Sequence, residues 1–112
     1  MVRCRQDVVR EEWAVAEPGS LDEVRARIDA LDGELVRLLA QRQALVRAAA
    51  GFKVDESAVR APDRVERVVA GVRRRAVAEG LSPDVAEAVW RAMIGAFIDV
   101  ELVEHRRAPT GR

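Results

Sequence analysis

Apolar residues recur along the first half of the chain at Val24, Ile28, Leu31, Leu35, Leu38, Leu45, Ala49 and Phe52. Apart from one position, the steps alternate between four and three, which lines them up in one helical stripe and predicts a single long buried seam. Ser20 with Glu23 three residues later forms a capping box, and Asp22 adds negative charge to the first turn, so the helix is predicted to begin there. Extended to about Lys53 it spans roughly 48 Å, more than a compact monomer of this size can cover. The pattern therefore predicts an intertwined dimer with a long first helix.

The exception in the seam is Arg42, which stands between Leu38 and Leu45 where the repeat asks for an apolar residue. Burying a guanidinium without a partner is strongly unfavourable, so an anion is expected to meet it. Lys53 follows near three whole turns later, on the same face and about 16 Å along the axis. Long cationic side chains at that distance can converge on one small dianion.

Beyond Lys53 the periodicity lapses, and Val54 to Ala61, with Asp55, Glu56 and Ser57, reads as a connecting loop. Pro62 suits the first position of a second helix with Asp63 in its first turn; Val65, Val68, Val69, Val72 and Ala76 give it an apolar stripe, and Gly80 ends it. Arg67, Arg73, Arg74 and Arg75 on the opposite face are interspersed with Glu66 and Glu79, which favours a solvated face over a nucleic-acid surface. Ser82 caps a third helix with Pro83 at its first position. Its broad apolar face holds Trp90, Met93, Ile94, Phe97 and Ile98, and Glu101 shares that face. The expected organisation is an all-α domain over residues 20–107. It is preceded by an extension at 1–19, with a short helix around Val8, Val9 and Trp13, and followed by a flexible tail at 108–112.

Composition narrows the function. A chain of 112 residues with 49% hydrophobic content makes one domain, short enough for a second copy to complete its core. Lys plus Arg and Asp plus Glu balance at 19 each, which removes any general attraction to nucleic acid or an anionic membrane. Lys53 is the only lysine; every other basic residue is arginine. The single Cys4 excludes an internal disulfide, and neither a secretory leader nor a membrane-length apolar run is visible, so a cytoplasmic location is expected. His105, beside Arg106 and Arg107 at a helix end, reads as a surface residue. One Cys and one His give no metal site, and no glycine-rich phosphate loop or nucleophile elbow occurs. What remains is an inward-facing set, Arg42, Lys53, Arg64 and Glu101. A closed salt-bridge network, Arg42 or Lys53 with Glu101, would satisfy part of it; the excess of cations favours an anionic ligand.

From Leu21 to His105 the chain resembles the all-helical, type II chorismate mutases, dimers of three helices whose long first helices intertwine. The resemblance rests on Val24-Arg25-Ala26-Arg27-Ile28-Asp29-Ala30-Leu31-Asp32, on Leu38-Leu39-Ala40-Gln41-Arg42, on Lys53 and on Pro62-Asp63-Arg64-Val65, with Arg25, Arg42 and Lys53 in the family's spacing. It implies an isomerase that converts chorismate to prephenate by a pericyclic rearrangement, with no cofactor and no metal. By resemblance, Arg25 of the other protomer and Arg42 bind substrate carboxylates, Arg64 assists, and Lys53 and residue 101 meet the ether oxygen. Arg25 lies about 25 Å up the helix from Arg42 and roughly 100° around it, so it cannot share a pocket within its own chain.

Three positions depart from the family. Glu101 replaces a glutamine and can donate a hydrogen bond only when protonated, Val65 replaces a glutamate that contacts the ring hydroxyl, and Phe97 replaces a serine-type residue near a carboxylate. Phe52-Lys53 and Ala61-Pro62-Asp63-Arg64-Val65 look closer to a sister branch, the isochorismate pyruvate lyases, which form salicylate. Chorismate mutase is the first expectation, because the core motif is shared and Glu101 departs from the lyases too. Isochorismate pyruvate lyase and 4-amino-4-deoxychorismate mutase are the enzymatic alternatives, and a helical dimeric binding module is the non-enzymatic one.

Overall fold

The computed structural model describes residues 17–107. The helix expected around Val8, Val9 and Trp13 and the tail expected from residue 108 lie outside the described residues. Among the described residues four helices follow in order: α1, Leu21–Ala50; α2, Glu56–Arg60; α3, Pro62–Glu79; and α4, Pro83–Arg107. Among the described residues there is no strand, and no helix is long and apolar enough to cross a membrane. The chain divides into two compact units, one ending at Ala40 and the other beginning at Gln41.

The helix ends follow local chemistry. Ser20 Oγ accepts the Glu23 amide at 3.1 Å, and the Glu23 carboxylate reaches back to the amide of Gly19 at 2.6 Å, so the capping box forms with its return arm one residue early. Ser82 Oγ accepts the Val85 amide at 3.3 Å and starts α4. α3 ends on Gly80 at φ 79°, with the Leu81 amide returning to the Ala76 carbonyl at 2.9 Å, a glycine-terminated closure that an L side chain would strain.

Two expectations about the middle of the chain are corrected. α1 stops at Ala50 and does not run to Lys53. The amides of Gly51, Phe52 and Lys53 turn back to the carbonyls of Ala48, Ala49 and Ala50, bonds three residues long that tighten and end the helix where glycine offers no side chain to pack. Phe52, taken as the last member of the seam, is accordingly 88% exposed. The expected loop contains α2, nucleated by Asp55, whose side chain accepts the Ala58 amide at 2.8 Å. Ala61 then joins α2 to α3 at φ 35° and ψ 63°, the left-handed region, which lets Pro62 open α3 without a gap.

In the unit that ends at Ala40, none of residues 17–40 is buried, and the seam residues Leu31 and Leu35 are each 55% exposed. In the unit from Gln41 onward the core is thin and built largely from small side chains: Ala50, Val59, Val69, Ala76, Ala86 and Leu102. Ala76 on α3 and Ala86 on α4 are buried at 3% and 0%. Outside this core Arg73, read from the sequence as part of a solvated face, reaches Asp84 and Glu87 of α4 at 3.0 and 2.9 Å, and Arg91 joins Glu87 to Glu66. Exposed pairs of this kind fix register more than they add stability.

Gly80→Ala is expected to destabilise the fold by about 1 kcal/mol, and Ala61→Gly to stabilise it by about 0.5 kcal/mol, because only glycine adopts these dihedrals without a clash. Urea unfolding of both variants against the parent measures the pair of shifts.

Candidate active site

A cavity of about 490 Å³ opens in the unit from Gln41 onward, between the last turns of α1, α2, the start of α3 and the second half of α4. Arg42 enters from α1, Lys53 from the turn after it, Arg60 and Arg64 from either side of the Ala61 kink, and Glu101 from α4. Val46, Ala49, Val65, Val68, Phe97 and Ile98 form much of its apolar wall. Four cations and one carboxylate thus line a site whose remaining surface cannot hydrogen-bond through side chains.

Glu101 is buried at 5%. Its Oε2 lies 2.5 Å from Lys53 Nζ, an ion pair in contact, yet that oxygen accepts no aligned hydrogen bond. The pairing neutralises Lys53 in charge while leaving the carboxylate incompletely solvated by the protein. Lys53 is itself held from behind: its backbone carbonyl meets His105 Nε2 at 3.0 Å. His105 is half-buried, which corrects its reading as a surface residue.

Arg42 makes a different contact. Its guanidinium carbon stands 5.1 Å from the centroid of the Phe97 ring, a cation–π distance, and among the described residues no carboxylate lies within ion-pair reach of it. Burial, and then the charge of nearby Arg64, hold Arg42 below the usual arginine range. It stays protonated at neutral pH, because an arginine begins so far above it. Of the two pairings that the sequence allowed with Glu101, the structure forms the one with Lys53.

The structure places Arg42, Lys53, Arg64, Val65, Phe97 and Glu101 around one cavity. Arg25 stands exposed on the first half of α1 and is not among the lining residues. Arg60 was not singled out, because it lies in a stretch read as loop; its position beside the Ala61-Pro62 junction was the available signal. Among the described residues no group of His, Cys, Asp and Glu could hold a metal ion.

A cation-lined, apolar-walled cavity of this size has the chemistry to accommodate a small organic polyanion. Residues 24–102 match the family model for chorismate mutase type II, and the chain belongs to that family of chorismate-utilising enzymes. The isochorismate pyruvate lyase of Pseudomonas aeruginosa is similar to this chain, 32% identical over 91 residues that cover 81% of the chain and 89% of that protein.

Lys53→Met strips a buried carboxylate of its counter-charge and is expected to destabilise the fold by about 2 kcal/mol. The double variant Lys53→Met/Glu101→Leu should recover most of that loss, which a double-mutant cycle by chemical denaturation resolves.

Proposed function

We propose that this protein is an isochorismate pyruvate lyase, with chorismate rearrangement to prephenate as a weaker second activity of the same site. The sequence alone ranks these reactions the other way round. The observation that carries the change is Val65. It lines the cavity directly after Arg64, and no uncharged hydrogen-bonding side chain lies among the lining residues. The 4-hydroxyl of chorismate, pointing away from both carboxylates, would meet this apolar wall unpaired, at a cost that specificity arguments put at about 1–3 kcal/mol. Isochorismate carries its hydroxyl between the ring carboxylate and the ether, toward the cationic side. The similarity to the Pseudomonas aeruginosa lyase supports the same choice. The absence of a carboxylate at position 65 argues against an amino-substituted ring.

The chemistry asks little of the protein beyond position and charge. In the lyase reaction a hydrogen on the ring carbon next to the ring carboxylate moves to the terminal methylene of the enolpyruvyl group as the ring-to-ether C–O bond breaks. The bond pair leaves with oxygen and becomes the carbonyl of pyruvate, and the ring becomes aromatic as salicylate. In the mutase reaction the same bond breaks while a C–C bond forms. Both transition states build negative charge on the ether oxygen. Arg42 and Arg64 would grip the carboxylates, Phe97 would keep the Arg42 guanidinium in plane, and Lys53 would meet the growing charge. Glu101 would aim Lys53 and, when it carries a proton, donate to the same oxygen. The arrangement needs no cofactor.

A second copy of the chain completes this picture. The exposed seam of α1, with Ile28, Leu31, Leu35 and Leu38 between 48% and 55% exposed, suits a homodimer, and Arg25 would enter the cavity from the partner. The reading of the fold as a binding module without activity is disfavoured by the buried Lys53–Glu101 pair inside the cavity, a placement that ordinary anion capture does not require.

Purified protein incubated with isochorismate should release salicylate and pyruvate, and with chorismate should give prephenate at lower kcat/KM, both followed by chromatography. Lys53→Ala should lower kcat about 10²- to 10³-fold. Turnover of neither acid overturns the proposal. Arg25→Ala and Arg42→Ala should each be inactive alone, yet after co-refolding regain about a quarter of parental activity, since half the dimers are mixed and each holds one intact site. Failure to regain activity means that Arg25 does not act across the interface.

A further inference from the structure

We propose that His105 is a positioning residue for Lys53, holding the main chain of that residue so that its ammonium stays against Glu101 inside the cavity. The inference rests on the functional reading above for its kinetic consequence, but its structural content stands independently.

Lys53 needs such an anchor because it lies beyond α1. Its own amide makes only a long bond to the Ala50 carbonyl, 3.4 Å, and no helix fixes its dihedrals. A lysine side chain on an unanchored turn samples many rotamers, and holding its tip in one place costs entropy that the tip contact alone must offset. α4 supplies both ends of the restraint. Glu101 takes Nζ at 2.5 Å, and His105, one helical turn on and on the same face, takes the Lys53 carbonyl at 3.0 Å through Nε2. A carbonyl oxygen only accepts, so Nε2 carries the proton in this contact. Flanking pairs tie the neighbouring segment to the same two turns: Arg106 reaches Glu56 at 2.7 Å, and Arg47 approaches Glu104 at 3.6 Å. The histidine bond is part-buried and is the contact that holds the Lys53 main chain to α4. The exposed pairs are individually weak.

Removing the donor should let the turn relax and the ammonium drift from the ether site, while the guanidiniums that grip the carboxylates stay in place. The loss then falls on kcat more than on KM. Lys53 is the only lysine in the chain, so acylation of lysine by an N-hydroxysuccinimide ester, read by peptide mass spectrometry, reports on this ammonium alone. His105→Leu should raise the acylation rate at Lys53 at least about threefold as the pair with Glu101 loosens. It should lower kcat roughly 10- to 100-fold, with KM within about threefold of the parent. His105→Gln, whose amide nitrogen falls near the Nε2 position, should restore both. Should the leucine variant fail to fold by circular dichroism, His105→Asn, whose amide stops one carbon short, takes its place in the comparison. A parental acylation rate at Lys53 in the leucine or asparagine variant, or a parental kcat in an otherwise active enzyme, overturns the proposal. If the parent turns over neither diacid, the functional reading falls separately, and the acylation rates still decide whether His105 holds Lys53.

Discussion

Positive charge held in an apolar enclosure with too little carboxylate to balance it is the constraint around which the second half of this chain is built. One ammonium and three guanidiniums line the cavity against Glu101 alone. Lys53 uses that carboxylate, and Arg42 falls back on the face of Phe97, a contact that supplies only part of what a carboxylate would. The lining groups therefore do not balance one another in charge, and a dianion among them would relieve repulsion as well as form new bonds. Binding and folding are linked on this account: whatever occupies the cavity also stabilises the unit that forms it.

The helices that carry the cations were legible because their signals are local. Ser20 and Glu23, Gly80, and Ser82 with Pro83 mark ends whose hydrogen bonds appear in the structure. The arrival of Glu101 on the buried face of α4 followed from its spacing to Phe97 and Ile98. The region between the helices was harder to read for a physical reason. A five-residue helix such as α2 is shorter than two periods, so periodicity cannot announce it, and only the Asp55 cap could have. The seam pointed past Ala50 to Phe52 because apolar spacing is blind to where a glycine lets the helix stop. His105 was misread since a residue among arginines at a helix end gives no hint of a carbonyl fifty-two positions earlier.

Apolar exposure along the first half of α1 is a different kind of observation. A stripe that regular, left without a buried position among residues 17–40, is patterned for burial that the described residues do not supply. The core from Gln41 onward leaves no large side chain fully buried. In the proposed homodimer both features would make stability concentration-dependent, with assembly and folding as one equilibrium.

The early end of α1 separates the two principal cations mechanically. Arg42 stands on α1, so a slip of its helical register by one residue would carry the guanidinium about 1.5 Å along the axis and swing it by about 100°. Lys53 sits past the tightened turn and takes its reference from α4. If Arg42 grips a carboxylate and Lys53 faces the breaking bond, as proposed above, changes in α1 would retune the grip without disturbing the group on the other side of the turn. On the proposed function, a chain descended from this one could alter which acid it accepts while keeping the same chemistry.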